Sequence, residues 1–153
     1  MMERPVNGSI QRIDRSEYEP FAERQHLFLI GNLQRENPHP FVRDPRLELI
    51  LCYYNSGDDG LPHWHREVTE YEIVIEGESG ILEVATGRAR WFGSGDLVVI
   101  PPGVCVKRLV RKTVRTLAIK IPSKAEKVHC AGCPRECSAR LAPYFQEEPC
   151  ASR

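Results

Sequence analysis

Turn-forming residues limit how long any regular element of this chain can be. Twelve prolines and eleven glycines break its 153 residues into short apolar runs, and no long stretch keeps the 3.6-residue period of a helix. Runs rich in β-branched and aromatic residues, bounded by turn signals, predict strands near residues 25–30, 47–54, 71–75, 80–84, 97–100, 104–110 and 114–121. The segments "NSGDDG", "EGESG", "ATGRAR" and "GSGD" read as turns between them, and "ENPHPFVRDP" (36–45) as a proline-rich loop. The pattern predicts an all-β sandwich or barrel, with no internal repeat and no low-complexity tract.

Two of these runs, Ile73-Val74-Ile75 and Leu97-Val98-Val99-Ile100, are apolar on both faces. A strand with one covered face alternates instead. The outer face of this sheet is therefore expected to be covered too, by the C-terminal segment or by a second subunit, and a two-fold homodimer is the simpler arrangement. Composition changes after Pro122, beyond which lie four of the six cysteines. The chain divides into an N-terminal arm with an edge strand (1–45), a barrel (46–122) and a cysteine-rich tail (123–153), in which "PRECSARLAPYF" can form one short helix that starts at its proline.

Lysine plus arginine and aspartate plus glutamate number 21 each, giving no net charge and no basic stripe, so nucleic acid is not expected as a partner. No run nears the roughly 18 apolar residues needed to span a bilayer. The Met1 end lacks the apolar core of roughly 7–15 residues of a secretory signal. A cytoplasmic setting is expected, in which thiols stay reduced.

"GDDGLPHWHREVTEYEIVIEG" (57–77) carries the chemistry. His63 and His65 are two apart, so on a strand both imidazoles point to one face. Glu70 follows after "REVT", a segment able to turn or bulge and return a carboxylate to the same point. Imidazole with carboxylate suits divalent Fe, Mn, Ni, Cu or Zn. Taken alone, the pair could equally be two loop histidines beside Pro62.

The full spacing shifts the balance between these. Gly57, five residues, His63-x-His65, four residues, Glu70, six residues and Gly77 resembles the first signature of the cupin superfamily, and Gly95, five residues, Pro101-x-Gly103 resembles part of the second. The resemblance runs from about Leu47 to Ile121 and implies an antiparallel jelly-roll (cupin) β-barrel, here with a short C-terminal cysteine-rich appendage. Three residues after Gly103, where the family places a histidine ligand, this chain has Val106, and Val110 follows where a polar residue is common.

Three arrangements remain open. His63, His65 and Glu70 can form a three-ligand site, a set suited to non-haem Fe(II) oxygenase chemistry (Fe(II) favoured; Mn, Ni or Zn possible) and to Lewis-acid roles. Another residue can replace the lost histidine: Cys105, His26, His39 or Cys52. Or the site can be a metal-free binding pocket. By strand parity Val104, Arg108 and Val110 share the face of Val106, which makes Arg108 an anchor for a substrate carboxylate or phosphate or else a rim arginine. Glu72 shares the face of Glu70 and is a candidate general base. Trp64 and Tyr71 take the opposite face, and one of Tyr53 and Tyr54 borders the pocket.

In the tail, Cys130, Cys133, Cys137 and Cys150 give one C-x2-C knuckle and two further thiols, enough for a tetrahedral zinc site in which His129 can replace one cysteine; an iron–sulfur cluster is the lesser alternative. Such a site would be structural, since metal binding supplies folding free energy to a segment with little core. A cupin with a cysteine-rich tail resembles bacterial 3-hydroxyanthranilate 3,4-dioxygenases in arrangement, but Val106 and the single C-x2-C pair argue against carrying that activity over. The sequence thus predicts a metal-dependent enzyme, dioxygenase-like or isomerase-like, acting on a small polar molecule. The alternative is a non-catalytic binding or regulatory protein with a structural or redox-sensing tail.

Overall fold

The computed structural model describes residues 3–6, 8–22, 26–58 and 60–129. Their elements run β1 (Glu3–Pro5), α1 (Arg15–Tyr18), a 3₁₀ turn (Glu19–Phe21), β2 (His26–Ile30), β3 (Phe41–Arg43), β4 (Glu48–Tyr54), β5 (His63–His65), β6 (Thr69–Glu76), β7 (Glu78–Glu83), β8 (Arg88–Gly93), β9 (Leu97–Ile100), β10 (Val106–Leu109), β11 (Val114–Ile121) and β12 (Lys127–His129). They form two sheets, a seven-stranded one in the order β1-β3-β2-β4-β11-β6-β9 and a five-stranded one in the order β12-β5-β10-β7-β8. Among the described residues only β1–β3 and β2–β3 pair in parallel.

All seven expected strands form, two of them, β9 and β11, on the expected boundaries. The strand expected over 104–110 shortens to Val106–Leu109, because Gly103 and Val104 still belong to the turn after Pro101. Two segments read as loops contain strands. Arg88–Gly93 begins inside "ATGRAR", and Phe41–Arg43 sits in the proline-rich stretch. Both lack β-branched runs and owe their extended form to pairing, β8 with β7 and β3 with β1 and β2. The helix α1 follows a capping box in which Asp14 accepts from Ser16 N and the Glu17 carboxylate accepts from Asp14 N. The sheets also draw in strands on both sides of the 46–122 stretch: β1, β2 and β3 before it and β12 after it.

The core fills the space between the sheets. Ile50, Cys52, Tyr54, Val74, Val110, Val114 and Ala118 form one cluster, and Ile81, Val98, Ile100 and Val106 a second; Phe92 packs on both. Full burial of such an aliphatic side chain contributes about 1.5–3 kcal/mol. The other face of the five-stranded sheet carries Leu82, Val84 and Cys105, with Trp64 packed on them, so Trp64 takes the face away from the histidines as parity requires. On the outer face of the seven-stranded sheet Ile73, Ile75, Leu97 and Val99 are each 40–57% exposed. Gly77 closes the turn between β6 and β7 at φ +86°, and a Cβ there would stand 2.6 Å from the Thr113 carbonyl oxygen, which is why this position takes glycine.

Candidate metal centre

Three contacts fix the segment that carries the two histidines and the glutamate. The Gly103 amide donates to the His65 carbonyl at 2.7 Å, tying β5 to the turn before β10. One oxygen of the Glu126 carboxylate accepts from the amides of Glu67 and Val68 at 2.8 and 2.9 Å, which pins the turn between His65 and Glu70. Burial would raise the Glu126 carboxyl, but these two amides lead the effects that hold it below its ordinary value.

The result is a cluster in which one ligand atom from each of His63, His65 and Glu70 lies within 4.8 Å of the others. His65 Nε2 is 3.7 Å from Glu70 Oε2, and the two imidazoles meet nearly edge-on with centroids 5.5 Å apart. His63 Nδ1 lies 3.0 Å from the Leu61 carbonyl, to which it donates; this leaves Nε2 as the lone-pair nitrogen. His65 is buried, and neither of its ring nitrogens has a hydrogen-bond partner. A buried polar atom left unpaired is costly.

Charge around the cluster favours metal-binding protonation states. Burial alone would raise the Glu70 carboxyl, but His65, Lys120, Arg108 and His63 outweigh it and hold it well below the usual carboxylate range. Burial, reinforced by Lys127, lowers His63 to about 4, so its imidazole is neutral near pH 7.

The cluster opens on a cavity of 320 Å³, whose wall includes Tyr54, His26, Cys52, Arg108, Lys120 and Lys127. Comparisons with known proteins give the architecture a name. No protein-family model matches the chain, and no curated protein matches it in sequence. Among solved structures it is similar to a Klebsiella pneumoniae protein with a double-stranded β-helix domain, at TM-score 0.51 and 16% identity over 56% of this chain and 76% of that one. It is similar to the polyketide cyclase RemF from Streptomyces resistomycificus, at 0.54 and 22% over 69% and 71%. It is also similar to the DMSP lyase DddQ from Ruegeria pomeroyi, at 0.56 and 21% over 69% of this chain and half (50%) of that one. The chain has the cupin fold. At these identities the likeness speaks for architecture alone.

Within the cupin barrel the residues singled out from sequence divide clearly. Val106, at the position where the cupin resemblance places a histidine, is buried against Ile81, Val98 and Ile100. Of the four candidates for replacing that histidine, two are elsewhere. Cys105 faces Leu82 and Val84 on the other side of its sheet, as alternation requires. His39 is buried beside Tyr18 and Phe21, with Nδ1 2.9 Å from the Pro40 carbonyl. His26 and Cys52 do line the cavity, yet neither joins the 4.8 Å cluster. Burial keeps the Cys52 thiol protonated, pushing its pKa up to about 12. His26 is exposed at the cavity wall, and its Nε2 lies 3.4 Å from the Tyr54 hydroxyl. Tyr54 is thus the tyrosine that borders the pocket, while Tyr53 stacks under Arg115.

Arg108 and Glu72 take a different relation from the one expected. They form a buried two-pronged ion pair, Nη1–Oε1 2.8 Å and Nη2–Oε2 2.5 Å, with Nη1 also bonded to Ser79 Oγ and the guanidinium 4.7 Å from the Tyr54 ring centroid. Burial raises the Glu72 carboxyl against the pull of Arg108, and Glu72 with Tyr54 and Glu70 keeps the guanidinium charged despite its own burial. Arg108 walls the cavity and Glu72 lies behind it. Each group neutralises the other inside the barrel.

His129, named from sequence as an alternative tail ligand, lies opposite His63 on β12 with ring centroids 6.2 Å apart, and it too lines the cavity. Cys130, Cys133, Cys137 and Cys150, and the helix expected among them, lie outside the described residues. Lys120 and Lys127 were missed. Lys120 was legible, because the inward face of β11 reads Val114, Thr116, Ala118, Lys120. Lys127 carried no such signal, lying in a three-residue strand just beyond the change of composition at Pro122. Among the described residues no helix is long and apolar enough to cross a membrane.

Proposed function

We propose that this protein is a metal-dependent cupin enzyme that acts on a small polar molecule, with His63, His65 and Glu70 as the metal's protein ligands. The observation that carries this is His65: a buried imidazole with two unpaired ring nitrogens, facing the Glu70 carboxylate and the free Nε2 of a tautomer-fixed His63. Two imidazoles and one carboxylate fit a divalent first-row ion, Fe(II) before Mn, Ni or Zn. Such an ion supplies Lewis acidity and vacant positions for further ligands, which suits dioxygenase-like or isomerase-like chemistry. The chain's own part is to hold Glu70 ionised and His63 neutral, to orient His63 through the Leu61 carbonyl, and to wall the cavity with Tyr54 and Arg108. The test is reconstitution of metal-stripped protein with Fe(II), Mn(II), Ni(II) or Zn(II) singly. At least one ion raises the melting temperature of the wild type, and the rise disappears in His65→Ala. No rise with any ion contradicts the proposal.

The burial of Val106 among aliphatic side chains favours a second reading, a non-catalytic binding or regulatory protein, and turnover of any substrate by metal-loaded protein would overturn it. For the tail, the cysteine spacing supports a structural zinc site; Cys130→Ser with Cys133→Ser is expected to lose about one zinc per chain without touching the barrel metal.

A further inference from the structure

Each residue of the cluster stands directly across a strand pair from a basic one. Glu70 is opposite Lys120, His65 opposite Lys127 and His63 opposite His129. Residues directly opposed in an antiparallel pair project side by side from the same face of the sheet. All three basic side chains accordingly line the cavity that His63 and Glu70 line, and the two lysines also border a neighbouring cavity of 430 Å³ that reaches His65.

The acidic groups nearby are already engaged. Glu72 is paired with Arg108, Glu126 accepts from two backbone amides, and Asp58 accepts from the Asn55 amide in its own turn. Lys120 itself lies between two carboxylates: Glu70, whose Oε2 is 3.9 Å from its ammonium, and the buried Glu48, which stands opposite it in the β4–β11 pair and accepts from the Ser123 hydroxyl. Lys127 has no carboxylate within 4.0 Å among the described residues. Lys120 is the more confined, its side chain 14% exposed at the end of an otherwise neutral inward face. The two carboxylates and the two lysines balance, and a divalent ion held by Glu70 would add two positive charges to them. The cavity would then carry a net positive charge, with the Lys120 and Lys127 ammonium groups on its wall as donors, a setting that selects an anion.

We propose that the site binds a small molecule through a carboxylate, held by charge-assisted hydrogen bonds from Lys120 and Lys127 beside the metal. This rests on the metal reading for the position of the reacting part of the molecule and for the net positive charge, and on the two lysines for the hydrogen bonds that hold the anion. Lysine provides a point charge with three rotatable donors, which suits an oxyanion of either carboxylate or phosphate type; the cavity of 320 Å³ limits it to a small one.

The experiment is calorimetric titration of the full chain, metal-stripped and reconstituted in parallel, with acetate, oxalate and inorganic phosphate. Variants are Lys120→Met, Lys127→Met, the charge-keeping Lys120→Arg, and Lys112→Met as a control for net charge, since Lys112 lies on an exposed turn outside both cavities. Oxalate is expected to bind at least about tenfold more weakly to either lysine-to-methionine cavity variant, as for other hydrogen bonds to charged groups. Lys120→Arg and Lys112→Met should bind it within about threefold of wild type, and metal content should be the same in all. Oxalate binding that is absent from wild type in both forms, or equal in wild type and both cavity variants, overturns the proposal. Tight phosphate and no oxalate binding overturns the carboxylate assignment. Failure to take up metal, with lysine-dependent oxalate binding intact, overturns the metal reading and leaves the lysine contacts standing.

Discussion

Inside the barrel Arg108 and Glu72 meet with both guanidinium ends on both carboxylate oxygens, Glu72 1% and Arg108 8% exposed. Removing one partner strands the other as a buried charge, which costs about 3–5 kcal/mol, whereas replacing both with apolar groups is close to neutral. Arg108→Met is therefore expected to lower the unfolding free energy in urea by about that amount, and Glu72→Leu in the Arg108→Met background to restore most of it. If the double variant is as unstable as the single one, the pair is not the main reason for the loss. That both residues point inward was legible in the period-2 pattern of their strands. Their pairing was not, because β6 and β10 belong to different sheets and meet only across the core. His63, His65 and Glu70 were legible together because they lie on strands that leave and re-enter one turn, so that spacing alone converts to geometry.

Two connections position the site and each gives a test. The Glu126 carboxylate holds the turn between β5 and β6 through two amides. Its folded pKa lies below its ordinary 4.5, so the stabilisation is fully present above about that pH and is lost as pH falls through the lower folded value. Glu126→Ala should cost about 1–2 kcal/mol in urea melts at pH 7 and less at a second pH well below 4.5. An equal cost at both pH values would mean that the carboxylate form does not hold the turn. Gly77→Ala forces a Cβ to 2.6 Å from the Thr113 carbonyl at positive φ, and calorimetry should show a lowered melting temperature corresponding to about 1–3 kcal/mol. The strands with a β-branched pattern could be read from sequence. β3, β8 and β12 could not, since short polar or arginine-bearing segments become strands only when a neighbour supplies the hydrogen bonds.

For the whole molecule, the exposed row Ile73, Ile75, Leu97 and Val99 lies on β6 and the edge strand β9, where Ile73 and Leu97 are opposed. Four apolar side chains on one sheet face form a patch suited to association, and we propose that a second copy of the chain covers it. Light scattering should give twice the chain mass of 17.5 kDa for the wild type and the single mass for Leu97→Lys/Val99→Lys; a wild type of single mass refutes the dimer. The barrel metal remains the central claim, and elemental analysis of protein purified without chelators tests it most directly. With Cys130→Ser/Cys133→Ser as background to remove the tail's contribution, about one divalent ion per chain is expected, falling to near zero when His63→Ala and His65→Ala are added. Metal content unchanged by the two histidine substitutions would contradict the account.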